Sequence, residues 1–282
     1  MNCSRFFLIC LTVLIGFAGA VAQQPAATIN IFLKDGRTVT SPTLTRSGNN
    51  IMAAVSVGPS GGQVGYPVNA IARIDFPEPP QLKTARALLA RGKVAEAQGL
   101  VSFVMNQSAP YRDVPGSFWD DAAALSVQAL VNSGRGPDAD RVIAEMLESP
   151  NPETQRLARV QQAASRARQG RHEEALPVYD DVIAQSTDPE TLATAWLNKG
   201  HSLLALGQTE QALLAYLRVP VFYPDRTLLV APALLGSAQA LEALEDLPEA
   251  EVRLNALLRD YPESPSAAAA KAALEKLKKK QS

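Results

Sequence analysis

Two histidines and two pairs of adjacent aspartates are the residues of this sequence that could take part in acid–base or metal chemistry. The histidines are His172 and His201, and the aspartate pairs occupy 120–121 and 180–181. Adjacent residues on a helix diverge by about 100°, so neither pair can face a glycosidic bond as two catalytic carboxylates do. We therefore interpret both pairs as solvated surface charge.

The histidines do not indicate a metal site. His172 begins a predicted helix beside Glu173 and Glu174 and is expected to be solvated, and a lone His201 cannot supply a zinc ligand set. No Walker loop, nucleophile elbow or dinucleotide-binding glycine motif is present. Residues 60–62 are Ser-Gly-Gly, a hairpin loop without the lysine of a phosphate loop. The sequence predicts no metal, no cofactor and no enzymatic activity.

The first 22 residues have the pattern of a secretory signal peptide. Arg5 precedes an apolar run over 6–19, and the small residues Ala20 and Ala22 frame a cleavage site. The run is shorter than the roughly 20 residues that cross a bilayer. Cys10 lies in the middle of the run, which does not fit a lipoprotein signal. We expect cleavage after Ala22 and export to the periplasm or cell envelope.

The remainder, 23–282, contains no cysteine, because Cys3 and Cys10 both lie in the predicted signal. A disulfide, a thiolate nucleophile and a cysteine metal site are therefore not expected there. Loss of Arg5 leaves 27 − 1 = 26 Lys and Arg against 28 Asp and Glu, a net charge of −2. This balance argues against a general nucleic-acid binder. No later apolar run is long enough to predict a transmembrane segment.

The elements change type near residue 77. Over 23–76, apolar residues alternate with polar ones, and Asp35-Gly36 is a hairpin turn signal. We predict five short strands in a small all-β, barrel-like domain. The segments 33–37 and 71–74 resemble those of SH3-like or Sm-like small barrels. Prolines make 77–80 a stiff linker, and the change of period predicts two separate cores.

From residue 81 the period is helical, and one unit repeats. Gly92, Gly134, Gly170 and Gly207 each end an amphipathic stretch, where glycine supplies a left-handed cap. Equivalent alanines recur at spacings of 42, 36, 37 and 38 residues, namely Ala97, Ala139, Ala175, Ala212 and Ala250.

The unit over 195–224 resembles the tetratricopeptide repeat, a helix–turn–helix unit of 34 residues. Its matching positions are Trp196, Gly200, Ala212, Tyr216 and Pro224. Small residues stand where two helices cross closely, and aromatic residues fill the wider gaps. Other units match at Gly170, Ala175, Tyr179 and Ala250, while Glu245 replaces the turn glycine of the fifth. The chain is mostly α, with about five helix pairs over 81–262 and a capping helix over 263–282.

The segments 222–225 and 260–265 carry Tyr-Pro before alanine-rich helices. In this they are similar to bacterial cell-envelope tetratricopeptide proteins, such as the Tol–Pal coordinator and the outer-membrane assembly lipoprotein. The missing lipoprotein signal departs from the second of these.

The resemblance implies that the first helices of the pairs line a concave groove that accepts a peptide or a partner helix. The positions that fall on this groove are Gln128, Asn132, Gln161, Arg168, Thr194, Asn198, His201 and Gln239. Their amides suit hydrogen bonds to a peptide backbone. A subtype that clamps a C-terminal carboxylate needs lysines that are absent here, and only Asn198 matches it.

Three functions remain open at this point. The first is a non-catalytic, protein-binding scaffold of the cell envelope, and the second is an envelope assembly factor for outer-membrane proteins or peptidoglycan enzymes. An enzyme centred on the small β domain is the third and the least supported. That domain could instead recognise a peptide or glycan, or dock on the first repeat. The lysines over 271–280 either complement the dipole of the last helix or contact an anionic lipid or acidic partner.

Overall fold

The computed structural model describes residues 28–55 and 61–281 of the 282-residue chain. The predicted signal peptide and its cleavage site lie outside these residues. A small antiparallel β region comes first, and five helix pairs and a last helix follow. The helices are α1 Pro80–Ala90, α2 Val94–Ser108, α3 Trp119–Asn132, α4 Gly136–Leu147, α5 Pro152–Arg168, α6 His172–Gln185, α7 Pro189–Ala205, α8 Thr209–Phe222, α9 Thr227–Ala243, α10 Leu247–Asp260 and α11 Ser266–Gln281.

The β region contains six strands in its described residues, arranged as two three-stranded antiparallel sheets. They are β1 Ile29–Leu33, β2 Thr38–Ser41, β3 Leu44–Ser47, β4 Asn50–Val55, β5 Gly62–Pro67 and β6 Ile71–Asp75. The sheet orders are β2-β1-β6 and β3-β4-β5. The strand missed by the sequence analysis is β3, whose Leu-Thr-Arg-Ser has one apolar residue and so shows no alternation.

The helix pairs are held by small residues at the predicted repeat positions. Ala139, Ala175, Ala212 and Ala250 are all fully buried. The turn glycines adopt the left-handed backbone, with φ of 71° at Gly92, 72° at Gly134, 88° at Gly170 and 74° at Gly207. Glu245 takes the same conformation with φ of 62°. The fifth pair therefore keeps the turn without a glycine, the residue for which positive φ has no steric cost.

Tyr216 fills the close crossing in the best-matched unit. Its ring is fully buried between Gly200 of α7 and Gly236 of α9. A Cβ at Gly200 would lie 2.7 Å from the ring, and one at Gly236 would lie 2.5 Å from it. Trp196, in contrast, is only half-buried, and Arg218 stacks over its ring at 4.3 Å.

The β region has a hydrophobic cluster of its own, which the segment between α2 and α3 helps to form. Val114, in the segment between α2 and α3, is 2 % exposed and packs among the isoleucines of both sheets. Tyr111 donates a hydrogen bond to the Leu44 carbonyl at 2.8 Å. Arg46 makes a two-pronged ion pair with Asp113, at 2.6 and 2.9 Å. The sequence analysis missed this because the contacts join residues about 67 positions apart.

The array curls until its first helix contacts its last pair. Leu228 of α9 packs against the hydrophobic cluster of α1, α2 and α3, which contains Leu82, Leu89 and Leu125. Arg91 pairs with Glu263 at 3.2 Å. At Gly92, a Cβ would lie 3.5 Å from Cγ of Pro265. We call this junction of α1 with α9 and 263–265 the seam.

The last helix covers the end of the fifth pair. Leu277 is 1 % exposed, and Lys276 and Lys280 both pair with Glu242 of α9, at 2.9 and 2.6 Å. These ion pairs lower the pKa of Glu242, chiefly through the hydrogen bond from Lys280. At least two of the tail lysines therefore serve to dock α11. Among the described residues, no helix is both long and apolar enough to cross a membrane.

Candidate binding cavity

The first helices of the pairs, α1, α3, α5, α7 and α9, surround a concave cavity of about 590 Å³. We call these the inner helices. Seven of the eight predicted groove residues line the cavity: Gln128, Asn132, Gln161, Arg168, Thr194, Asn198 and His201. Gln239 is exposed and lies outside it, because α9 borders the cavity only as far as Pro232.

Two of the lining polar residues are already bonded within their own helix. The hydroxyl of Thr194 donates to the Glu190 carbonyl at 2.7 Å, and its residue is 3 % exposed. The amide of Asn198 donates to the Thr194 carbonyl at 2.8 Å. Asn198 keeps its amide oxygen and one N–H for a ligand, whereas Thr194 contributes mainly to the wall.

The end of the cavity at the C-termini of α5 and α7 is polar and positively charged. Arg168 is solvent-exposed in the last turn of α5 and has no ion-pair partner among the described residues. His172 is half-buried with Nδ1 3.4 Å from Oγ of the buried Ser202, so it is less exposed to solvent than the sequence analysis expected. We call Arg168 and His172 the basic end.

Tyr179 forms part of the wall beside the basic end. The residue is fully buried, and its hydroxyl has no hydrogen-bond partner within the described part of the chain. Ser202 lies near this hydroxyl but outside hydrogen-bonding geometry, and burial raises the pKa of Tyr179 to about 12. A buried hydroxyl without a partner costs roughly 1–3 kcal/mol, which a ligand acceptor would recover.

His201 lies at mid-cavity against the aromatic ring that the two glycines hold. Its imidazole meets Tyr216 edge-on, with ring centroids 5.4 Å apart. The ring is open to water within the cavity, but protein surrounds its other sides. Desolvation by these walls lowers the pKa of His201 to about 4, so the ring is neutral at pH 7.

The opposite end of the cavity is acidic, which the sequence analysis did not predict. It carries four carboxylates at the N-terminal ends of the inner helices: Asp121, Asp188, Glu190 and Asp225. We call these four residues the acidic end. Arg86 lies 3.3 Å from Asp121, and Arg226 lies 3.6 Å from Glu190.

Burial dominates the electrostatics of the acidic end. It raises the pKa of Glu190, which Arg226 opposes and Asp188 reinforces. It likewise raises the pKa of Asp121, although Arg86 lies beside it. Both carboxylates touch water, yet the concave walls leave less water around them than an open surface would.

The other aspartates that the sequence analysis assigned to solvated charge are also engaged. Asp120 accepts a hydrogen bond from the Ser149 hydroxyl at 3.0 Å, and burial raises its pKa. Asp181 pairs with Arg159 at 2.6 Å, and Asp180 pairs with Lys199. No group of three or more His, Cys, Asp or Glu side chains in the described residues has the arrangement of a metal site.

Comparisons with known proteins agree with the repeat architecture. A family model described as tetratricopeptide repeat matches residues 232–264, which span most of α9 and all of α10. No curated protein matches the chain.

Among solved structures, a tetratricopeptide repeat protein from Parabacteroides merdae is 14% identical, with 70% of this chain and 71% of that chain covered and a TM-score of 0.39. Two structures of TPR-like repeats of a putative kinesin light chain from Podosopora anserina are each 18% identical. In one, 66% of this chain and 96% of that chain are covered, with a TM-score of 0.39. In the other, the coverages are 65% and 93% and the TM-score is 0.37. A signal-transduction ATPase from Pyrococcus horikoshii with a tetratricopeptide repeat sensor is 17% identical, with coverages of 68% and 31% and a TM-score of 0.43. These values carry no conclusion about a partner.

Proposed function

We propose that this chain is a non-catalytic scaffold that binds a short, extended peptide of a protein partner in its cavity. The observation that carries the proposal is a concave cavity lined by amides, in which the buried Tyr179 hydroxyl has no partner. Peptide carbonyls and N–H groups are the natural complement of such a wall. Tetratricopeptide architecture is in general that of protein-interaction scaffolds, and the family match to 232–264 fits this.

The size of the cavity favours a peptide over a partner helix. A helix 10 Å across occupies about 120 Å³ per residue, because each residue rises 1.5 Å. The cavity of about 590 Å³ therefore holds about five residues. Helices shorter than about 12 residues are marginal in water, so a five-residue occupant binds in an extended form.

The bacterial cell envelope is the setting that we propose for this scaffold. Support comes from the signal-like pattern of 1–22 and from the Tyr-Pro segments at 222–225 and 260–265. Fractionation of expressing cells, with N-terminal sequencing of the exported form, tests it. Chain beginning at Gln23 in the periplasmic fraction is the expected result, and cytoplasmic chain that retains Met1 would contradict it.

The binding proposal is tested on arrays of synthetic peptides of five to eight residues. Wild-type protein should retain a subset of them, and the double variant Asn198→Ala, His201→Ala should bind that subset at least about fivefold more weakly. Gln239→Ala is the matched control, because Gln239 lies on an inner helix but outside the cavity.

Thermal melts of all three proteins separate binding from folding. Equal melting temperatures are expected, since Asn198 is half-buried and His201 is exposed to the cavity. Retention of no peptide by the wild type, or equal retention by the double variant, would contradict the proposal.

A further inference from the structure

The two ends of the cavity differ in charge because the inner helices run in one direction. Asp121 and Glu190 lie in the first turns of α3 and α7, and Arg168 lies in the last turn of α5. Each pair is antiparallel and the pairs stack in the same sense, so the N-termini of the inner helices meet at one end. The groove therefore has a defined polarity along its length.

The acidic end carries an excess of negative charge. Four carboxylates face two guanidiniums, those of Arg86 and Arg226, which leaves two negative charges uncompensated. Asp188 is occupied as the N-cap of α7, accepting from the Thr191 N–H at 2.8 Å. The ion pair of Arg226 with Glu190 is long, because its Nε lies 3.6 Å from the carboxylate and has no hydrogen-bond partner in the described chain.

Two carboxylates of the acidic end are partly desolvated. Carboxylates are common in first turns because the helix N-terminus is positive, and that interaction lowers a carboxyl pKa. The pKa values of Glu190 and Asp121 are instead raised, with desolvation as the largest cause. Asp121 and Glu190 each have one arginine beside them, so the excess negative charge of this end is what a ligand cation would compensate.

The basic end has the complementary chemistry. The Arg168 guanidinium is without an ion-pair partner among the described residues, and the Tyr179 hydroxyl beside it is fully buried and unpartnered. Ser202 adds a buried hydroxyl next to Nδ1 of His172. The exposed guanidinium of Arg168 is the group at this end that suits a carboxylate.

The separation of the two ends sets the length of the ligand. From Glu190 to Ser202, which lies beside His172 of the basic end, α7 advances 12 residues, or about 18 Å at 1.5 Å per residue. An extended chain covers that distance in about five to six residues at 3.3 Å each. This agrees with the number of residues that the cavity volume admits.

We propose that the cavity selects an extended peptide segment with a basic side chain at the acidic end and a carboxylate, about four residues away, at the basic end. This inference rests on the proposed function, since it specifies the peptide that the scaffold takes. It makes Glu190 and Arg168 the residues that determine specificity. It also predicts a single binding direction, because the reversed peptide would place like charges together.

The test uses capped five-residue peptides, so that terminal charges play no part. The probes are Lys-Ala-Ala-Ala-Glu, its reverse Glu-Ala-Ala-Ala-Lys, and the neutral Gln-Ala-Ala-Ala-Gln. Wild-type protein should bind one charged peptide at least about threefold more tightly than the other two, as a pair of partly exposed ion pairs allows. Isothermal calorimetry or fluorescence anisotropy at low salt gives the dissociation constants of the three peptides, whose ratios are compared.

Two variants test which residue recognises each charged side chain of the peptide. Glu190→Gln should remove the preference for Lys over Gln, and Arg168→Gln should remove the preference for Glu over Gln. Their matched controls are Glu210→Gln, in the first turn of α8, and Arg166→Gln, in the last turn of α5, neither of which lines the cavity. The controls should keep both preferences.

The outcomes distinguish the two proposals. Binding of the neutral peptide as tightly as of both charged ones would leave the scaffold function standing and overturn the charge selection. Loss of both preferences in a control variant would also overturn it, since selection would then lie outside the cavity. If no peptide bound at any length, in these measurements or on the arrays, the scaffold function itself would fall.

Discussion

Tyr216 is clamped between two helices by glycines, so a single methyl group there should be strongly unfavourable. We expect Gly236→Ala to lower the free energy of unfolding by about 1–3 kcal/mol, the usual cost of overpacking a core. The added Cβ would lie 2.5 Å from a ring that is fully buried and has no room to move. Urea denaturation followed by circular dichroism measures the change.

Gly99 provides the matched control, because it lies inside α2 with no atom within 4 Å of an added Cβ. The same substitution, Gly99→Ala, should raise the free energy of unfolding by up to about 1 kcal/mol through helix propensity. Opposite signs at the two sites would establish the clamp. A stabilising Gly236→Ala would mean that the α8–α9 crossing is looser than described.

His201 should titrate far below the usual range of a histidine. With a pKa of about 4 in the folded chain and an ordinary value in the unfolded one, the unfolded state binds the proton first. Protonation of this group therefore favours unfolding, and its contribution to stability is lost as the pH falls from about 6.5 to about 4.

NMR titration of the imidazole signals measures the pKa directly. The chain has two histidines, so the variants His172→Gln and His201→Gln assign both signals. A midpoint near 6.5 for His201 would show that the cavity walls do not desolvate it.

Single-residue roles were predictable where they follow the repeat. Gly200, Ala212 and Tyr216 were identified because helical spacing places them at one crossing. Gly236 was missed, since it falls outside the repeat motif and the ring that it contacts belongs to the preceding pair. The acidic end was missed for a related reason: Asp121 and Glu190 are 69 positions apart, and only the stacking of α3 and α7 brings both to one cavity.

At the scale of elements, the β region depends on one glycine of the helical array. Gly116 has φ of 93°, and a Cβ there would overlap the carbonyl oxygen of Ile74 in β6. Ile74 also donates its backbone N–H to the Pro115 carbonyl at 2.9 Å. Gly116→Ala should therefore separate β6 from this segment and expose Val114.

Limited proteolysis of the segment between α2 and α3 is the measurement, with faster cleavage expected in Gly116→Ala. Gly134→Ala is the control, because Gly134 also has positive φ but no atom within 4 Å of an added Cβ. Gly134→Ala introduces the backbone strain without the steric clash. Equal cleavage rates in the two variants would indicate that strain alone, and not docking, governs this junction.

The elements themselves were largely readable from the sequence, because periodicity and turn glycines are local signals. Five helix pairs and a last helix were predicted and are confirmed. β3 and the packing of the segment between α2 and α3 on the β region were not predicted: the first has too few apolar residues to alternate, and the second depends on contacts between segments distant in the chain.

For the whole molecule, the sequence predicted a stack of helix pairs but not its closure. Curvature accumulates from small rotations between pairs, and no local pattern records their sum. The seam is nevertheless what converts an open groove into a cavity. Arg86 of α1 and Leu228 of α9 both line it, so separation of these helices would remove a wall.

Opening the seam should therefore change both the shape of the molecule and the pKa of His201, which lines the cavity. Leu228→Asp places a charge against the apolar core of the first pair, where Leu82 and Leu89 are almost completely buried. We expect a larger radius of gyration in small-angle X-ray scattering. We also expect the pKa of His201 to rise from about 4 towards its ordinary value, because water would reach the ring from the α1 side.

Leu214→Asp separates this effect from the general cost of a new charge. Leu214 is 64 % exposed on α8 and does not line the cavity, so neither measurement should change. Arg91→Ala tests the exposed half of the seam, where a single ion pair contributes at most about 1 kcal/mol and should not open it alone. If Leu228→Asp enlarged the molecule but left the His201 titration unchanged, the low pKa would arise from Tyr216 and its neighbours on α7. The seam would then be a structural contact without influence on the cavity.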